Sequence, residues 1–204
     1  MKKTVPDTGR RAFLVGVGVS ALALVGLTGG QSFQWLAPFN VFAPRQQGAG
    51  LQGLPVNRTA HQAAVNALAL DARWQLRVAN GTLVRRFSRN DLEAMPQTDA
   101  MLPIACVEGW STTARWRGVR IKQLMDSVGA PPAAALRITS LEPRGHYRVT
   151  HMPAEYVRDD TTLIALALNN EPLDLDHGYP ARVIAPGRPG VLQTKWLASI
   201  EVTS

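Results

Sequence analysis

His177-Gly178-Tyr179-Pro180-Ala181-Arg182 is the stretch that decides the fold, and Val191-Leu192-Gln193-Thr194-Lys195-Trp196 begins eleven residues after its proline. The glycines and prolines in and between these stretches predict loops, and loops let backbone N–H groups face a ligand. Arg182 offers a planar fork that suits phosphate, and Lys195 offers a point charge. On residue types alone, the pair indicates either an anion-binding site or two solvated basic side chains on turns.

Upstream, Cys106 is the only cysteine of the chain, and it lies near the end of an apolar run, 99–107, that predicts a buried strand. Without a second cysteine it has no disulfide partner in its own chain, so it is an inert packing residue, a reactive thiol or a metal ligand. Trp110 and Trp116 close behind would shield a thiolate from water, and a shielded thiolate suits a soft metal. Residue chemistry alone favours the buried inert thiol.

Several common site types are excluded by the sequence. It contains no H-E-x-x-H, C-x-x-C, G-x-S-x-G or Walker motif. His146 and His151 are five residues apart in a predicted strand, which places them on opposite faces and disfavours a shared metal. The net charge is +7, of which the first 30 residues give +3 from four bases and one acid. The remaining +4 contains no Lys/Arg run for nucleic acid, and it suits an anionic cofactor or substrate.

The apolar patterning predicts a β-rich α+β domain with a mixed sheet, because many short strands alternate with two or three short helices. Asn80-Gly81 predicts a hairpin turn, and Ser88 with Asp91 resembles a capping box for a short helix that ends before Pro96. An amphipathic helix is predicted over 120–128. Strands are predicted over 73–78, 83–87, 99–107, 136–140, 146–150, 163–168, 182–185 and 196–202.

The N-terminus predicts export. Arg10-Arg11 directly precedes the apolar segment Ala12–Leu27 and resembles a twin-arginine signal; an ordinary Sec signal or membrane anchor is the alternative. As a helix this segment spans roughly 24 Å, short of a ~30 Å hydrocarbon core. We therefore expect a twin-arginine signal or membrane anchor over 1–30, a linker over 31–53 and one domain over 54–204. The expected location is the periplasm or the outer face of the cytoplasmic membrane, with the export machinery as a partner.

Four separated motifs resemble the oxidoreductase molybdopterin-binding family, which has the sulfite oxidase fold, over about 54–202. They are C-V-E-G-W from Cys106, W-R-G-V from Trp116 with the helix after it, H-G-Y-P-A-R, and G-V-L-Q-T-K-W. The resemblance implies a Mo-molybdopterin cofactor, with the Cys106 thiolate on molybdenum and a basic pocket for the phosphate. A cysteine without a disulfide partner in an exported protein is then explained by a metal that binds before export.

The resemblance also implies the site residues. Tyr147 lies one residue from the position of the family's active-site tyrosine, and Arg148 occupies that position, so both join Cys106 as candidate catalytic residues. Arg115, Arg117 and Arg148 are candidates for the substrate entrance. Implied cofactor contacts are Asn57, Cys106, Ser140, His177, Arg182, Gln193, Thr194 and Lys195.

Within the family, C-V-E-G-W followed by W-R-G resembles the bacterial periplasmic branch that includes the protein-methionine-sulfoxide reductase catalytic subunits. Val107–Trp110 stands where sulfite oxidases carry an Arg-rich stretch, which disfavours sulfite. The implied function is oxygen-atom transfer on a sulfoxide or another small oxo-substrate, with electrons exchanged with a separate haem- or quinone-linked partner. A metal-free exported binding module and a thiol redox protein with an exposed Cys106 are the alternatives.

Overall fold

The computed structural model describes residue 17, residues 51–105 and residues 111–203. Cys106 with the four residues after it, and the predicted N-terminal helix apart from residue 17, lie outside the described residues. Internal contacts divide the chain into Met1–Arg45 and Gln46–Ser204, and the domain described below is the second unit. Within the described ranges, no helix is long and apolar enough to cross a membrane.

Short strands and helices of one turn or two build this domain. The helices are α1 (Asn66–Ala69), α2 (Arg89–Ala94), α3 (Ile121–Ser127) and α4 (Ala154–Arg158). The strands are β1 (Gln75–Asn80), β2 (Leu83–Ser88), β3 (Thr98–Ala105), β4 (Ser111–Arg120), β5 (Ala135–Ser140), β6 (Val149–Met152), β7 (Leu163–Leu168), β8 (Glu171–Pro172), β9 (Arg182–Ile184) and β10 (Leu197–Thr203).

The strands form two sheets. The first has the order β2-β1-β10-β5-β6, and the second has the order β3-β4-β7-β8, with β9 paired to β7. β1 and β10 run parallel, and the other pairs are antiparallel. This arrangement confirms the predicted β-rich, mixed-sheet α+β domain.

The main hydrophobic core joins the two sheets. Leu76 of β1 and Ile138 of β5 belong to the same buried cluster as Val119 of β4 and Ile164 of β7. Helix α3 adds Ile121, Leu124 and Met125, the apolar face that its sequence predicts. The core therefore holds both sheets behind the loops that carry the candidate site.

Two features predicted from local sequence, a helix cap and a hairpin turn, are present in the structure. Ser88 accepts a hydrogen bond from the backbone of Asp91, whose carboxylate accepts one from the backbone of Ser88, so the predicted capping box is confirmed. The predicted hairpin is present, but its turn lies one residue later than Asn80-Gly81: Asn80 still pairs with Leu83, and Gly81, with φ +57°, and Thr82 form the turn.

The strand predicted over 146–150 is wrong at its start. β6 begins at Val149, and His146 and Tyr147 lie in the turn before it. Gly145 has φ +139°, a conformation that breaks strand geometry and that glycine adopts without strain. His146 and His151 therefore do not lie on opposite faces of one strand: His146 is in the turn and His151 is in β6. Four further elements, α1, β4, α4 and β8, had no sequence prediction.

Candidate functional site

A cleft of about 170 Å³ opens where four loop segments meet beside the second sheet. The segment Leu54–Arg58, called here the strap, lines one side, and Ile104 of β3 lines another. Glu142 and Tyr147 come from the loop between β5 and β6. The remaining lining residues are His177, Arg182, Gly190, Val191, Gln193, Thr194, Lys195 and Trp196.

Backbone pairing positions the segment Gln193–Trp196 along one wall. The carbonyl of Thr194 accepts a hydrogen bond from the backbone N–H of Val183 at 2.9 Å, and the N–H of Leu197 donates to Ala181 at 3.0 Å. Behind this segment, the Ser140 hydroxyl donates to the carbonyl of Lys195 at 2.9 Å. These bonds fix the backbone that carries the Lys195 side chain, so its position depends on β5 and β9.

Arg182, the first residue of β9, is buried and joins the two loops. Its guanidinium donates to the carbonyl of His177 at 2.9 Å and to that of Gln193 at 3.5 Å, and it lies 5.1 Å from the ring centroid of Trp116. Burial lowers its pKa to about 10, so it remains charged at neutral pH. Its buried Nε–H has no hydrogen-bond partner among the described residues.

Lys195 is half-buried, and its ammonium group is bound by the protein backbone. Its ammonium donates to the carbonyls of Arg58 at 2.6 Å and Asp176 at 2.9 Å, and it lies 4.3 Å from the ring centroid of Trp196. Burial lowers its pKa to about 7; Arg182 adds to the effect, and the carboxylates of Asp176 and Glu142 oppose it. An anion beside Lys195 would raise this pKa and favour the charged form.

Charge in the cleft is poorly balanced. Among the described residues, neither Arg182 nor Lys195 forms an ion pair with a carboxylate. Burying a cation without a counter-charge is costly. A bound anion would provide the missing charge, and the partnerless Nε–H of Arg182 would gain an acceptor.

Gly178 brings the two cations together. It has φ +113°, and an added Cβ would lie 3.0 Å from the Cβ of Arg182 and 3.2 Å from that of Lys195. Because only glycine fits this position without strain, the loop can approach both side chains.

Most of the predicted cofactor contacts meet in this cleft. Tyr147 stands at its mouth with 46% of its surface exposed. Cys106 lies outside the described residues, but Ile104, two residues earlier in the chain, lines the cleft. The predicted residues that line it together are Asn57, His177, Arg182, Gln193, Thr194 and Lys195.

Four predicted residues lie outside the cleft lining. Ser140 is buried behind the cleft, where its hydroxyl supports the Lys195 backbone. Arg148 is exposed outside the cleft lining and donates to the carbonyl of Glu142 at 2.8 Å. Arg115, on β4, instead pairs with Asp99 at 2.7 Å, and Arg117 is exposed on the same strand.

Sequence reasoning missed two charged residues of the cleft. Glu142 and Arg58 both line it and form an ion pair of 2.8 Å. They are far apart in the chain, and no local pattern links them. The one available signal was a single carboxylate within the basic stretch Glu142–Arg148, which follows a predicted strand.

The family model for the oxidoreductase molybdopterin binding domain matches residues 62–204, well over half of the chain. The chain belongs to this molybdopterin-binding family. The match includes both loops of the cleft, so the cation pair lies in the part of the domain that defines the family.

Individual relatives share parts of this molybdopterin-binding domain. The chain is 32% identical over 117 residues to the oxidoreductase YuiH of Bacillus subtilis (strain 168), which covers 57% of this chain and 58% of YuiH. It is 26% identical over 154 residues to the mitochondrial sulfite oxidase of Drosophila melanogaster, covering 63% of this chain and 27% of that protein. The chain thus spans less than two thirds of the curated relatives that it matches.

A solved structure has the same fold. The sulfane dehydrogenase SoxCD from Paracoccus pantotrophus superposes with a TM-score of 0.56 at 24% identity, over 64% of this chain and 38% of that chain. This likeness supports the sulfite oxidase type of fold for the molybdopterin-binding domain.

The described residues fit a phosphate-bearing, negatively charged cofactor. The buried Arg182 and the half-buried Lys195 both pack against Gly178, and the Arg182 Nε–H lacks an acceptor among the described residues. Arginine and lysine are the usual protein groups for phosphate. The donor set therefore agrees with the cofactor that the family implies.

Proposed function

We propose that this protein is an exported Mo-molybdopterin oxidoreductase that transfers an oxygen atom to or from a small oxo-substrate, with sulfoxides as the first candidates. The observation that carries the proposal is the buried Arg182 beside the half-buried Lys195, neither of which has a carboxylate ion pair among the described residues. A pocket with this charge suits an anionic cofactor and disfavours an empty binding module.

The residues of the cleft would share the binding of the cofactor. Arg182 and Lys195 would offset its negative charge, and the backbone and side chains of Gln193 and Thr194 would contact it alongside. His177 and Asn57 would complete the contacts from the opposite loops, and the Cys106 thiolate would bind molybdenum. When bound, the cofactor supplies two-electron redox chemistry and oxygen-atom exchange.

The substrate would enter past Tyr147. Pro55, Val56 and Val191 are apolar residues of the same cleft lining, and the Tyr147 phenol can donate a hydrogen bond to an oxo group. These apolar residues and the phenol suit a sulfoxide, and Val107–Trp110 stands in place of the Arg-rich stretch of sulfite oxidases, which disfavours sulfite. Electrons would come from a separate haem- or quinone-linked partner.

Export by the twin-arginine route is part of the proposal, because that route carries folded proteins whose cofactor is already bound. Replacing Arg10 and Arg11 together by lysine should trap the precursor in the cytoplasm. Unaltered export of this double variant would contradict the route while leaving the activity proposal in place.

The activity is tested with purified protein, an artificial electron donor or acceptor, and a panel of sulfoxides, N-oxides and sulfite. We expect turnover of at least one sulfoxide and weak or no turnover of sulfite. If the protein contains molybdenum but turns over no member of the panel, the substrate class is wrong. If it contains none, the binding-module alternative is favoured.

A further inference from the structure

Glu142 is a carboxylate held inside the cleft. Its side chain is 11% exposed, and one oxygen, Oε2, lies 2.8 Å from Nη1 of Arg58. That oxygen is buried and has no well-formed hydrogen bond from the described residues. Gly145 lies against it, since a Cβ there would be 3.1 Å from Oε2. The carboxylate is therefore confined between the strap and its own loop.

The charges around Glu142 come from three directions. Arg58 faces it from the strap, and Lys195 acts on it from the opposite wall. Arg148 binds its backbone carbonyl, and Tyr147 is the other residue of this loop that lines the cleft. Burial raises the pKa of Glu142, and the positive charges of Arg58 and Lys195 offset this only in part.

Reduction of a sulfoxide consumes protons. R₂S=O with two protons and two electrons gives R₂S and water: the S–O bond breaks, sulfur is reduced, and the oxygen leaves as water. The partner supplies the electrons, and the protons must reach the cleft from solvent. A group that holds and releases a proton near the working pH accelerates such a step.

Few described side chains of the cleft suit that role. Arginine does not deprotonate near neutral pH, and a tyrosine ordinarily titrates near pH 10. His177 also lines the cleft, but it is buried, with 3% of its surface exposed, and is assigned above to cofactor binding. Lys195 is bound by two carbonyls and has the cofactor charge to offset. Glu142 combines limited exposure, a position in the cleft wall and an oxygen without a well-formed hydrogen bond.

We propose that Glu142 is a proton-transfer residue of this enzyme, which carries protons between solvent and the cleft during turnover. This rests on the oxygen-transfer function proposed above. A carboxylate that served only as a counter-ion to Arg58 would affect folding or cofactor content, but it would leave the pH dependence of turnover unchanged. The two roles are therefore separable by experiment.

The test compares Glu142→Gln, Glu142→Asp and a matched control, Glu201→Gln, each loaded with cofactor. Glu201 also pairs with arginines, Arg77 and Arg137, but it lies in β10 away from the cleft lining. The rate of sulfoxide reduction by reduced dye is measured against pH. Infrared spectra of the same proteins, without substrate, follow the C=O band of protonated carboxyl groups.

We expect kcat of the unaltered protein to fall as pH rises through the pKa of Glu142. Glu142→Gln should lower kcat about 100-fold and lack this limb, whereas Glu142→Asp should recover part of the rate and Glu201→Gln should match the parent. Because Lys195 also titrates, the infrared band assigns the limb to Glu142. The band should be absent from Glu142→Gln, absent or shifted in Glu142→Asp, and unchanged in Glu201→Gln.

The proposal is overturned if Glu142→Gln keeps the pH limb, or if its infrared spectrum loses no titrating carboxyl band. The infrared result stands without turnover. Absent molybdenum or an inactive parent would therefore count against the proposed function alone. A parent that shows no titrating carboxyl band, or a band that persists in Glu142→Gln, would count against Glu142.

Discussion

Gly178 packs directly against the side chain of Arg182: a Cβ on the glycine would be 3.0 Å from the Cβ of the arginine. The same atom would be 3.2 Å from the Cβ of Lys195. The glycine thus sets the distance between the loop that begins at His177 and both cations, Arg182 and Lys195.

Gly178→Ala should therefore impair cofactor binding as well as stability. The added methyl must displace Arg182 or Lys195, and φ +113° adds backbone strain of about 1–3 kcal/mol. Gly129→Ala is the matched control, because Gly129 also has positive φ (+62°) but has nothing within 4 Å of its added Cβ. Bound pterin should fall in the first variant and stay near the parent level in the second. Equal pterin content in both would refute the packing argument.

Arg182→Lys should lower cofactor occupancy by about tenfold or more, because lysine cannot keep the forked bonds to two carbonyls while also facing an anion. Arg188→Lys is its control. Arg188 is equally buried, donates to the carbonyl of His151 at 2.6 Å and packs over Tyr156, but it does not line the cleft. Pterin released on denaturation measures occupancy. The account fails here if both variants lose the same amount.

Lys195 should make the stability of the cofactor-free protein depend on pH. Its pKa is about 7 in the folded protein and near its ordinary 10.5 when unfolded, so the unfolded chain binds more protons between these values. Stability from this group therefore rises with pH across that window. Relative to Lys195→Met, the parent should gain free energy of unfolding from pH 7 to about 10 in urea titrations.

The control for this pH effect is Lys122→Met, which removes an exposed lysine of α3. Its difference from the parent should stay constant over the same pH range. Parallel curves for Lys195→Met and the parent would show that Lys195 keeps an ordinary pKa.

Ser88→Ala tests a local feature that does not line the cleft. The substitution removes the side chain that caps α2, and the expected loss of stability is about 1 kcal/mol. Denaturant unfolding should show this loss with unchanged pterin content per folded molecule. A loss of pterin would indicate that any destabilisation empties the site, and the effects of Gly178→Ala and Arg182→Lys would then not be specific to the cleft.

The fold was predictable where one local pattern suffices. Leu163–Leu168 is a continuous apolar run and is the fully buried strand β7. β4 was missed because its buried face carries the small residues Ala114 and Gly118, which weaken the apolar pattern. Gly118 must be small, since a Cβ there would lie 2.1 Å from the carbonyl oxygen of Ile164. The need for a small residue at this position comes from the neighbouring strand β7, so the sequence around Gly118 does not reveal it.

Of the candidate site, only the part carried by sequence motifs was predictable. The loops of Arg182 and Lys195 could be placed together because their spacing resembles the family. The ion pair between Arg58 and Glu142 joins residues that only the folded chain brings together. Ser140 supports the site through a backbone carbonyl, a role that residue type does not reveal.

The central claim is that this cleft holds a molybdenum cofactor bound through Cys106. The most direct measurement is the molybdenum and pterin content of protein purified from a host that makes molybdopterin, beside Cys106→Ser prepared in the same way. The account predicts about one molybdenum and one pterin per chain in the parent, and a folded Cys106→Ser that has lost molybdenum and activity. A parent without molybdenum, or a Cys106→Ser variant that retains both metal and turnover, would contradict it.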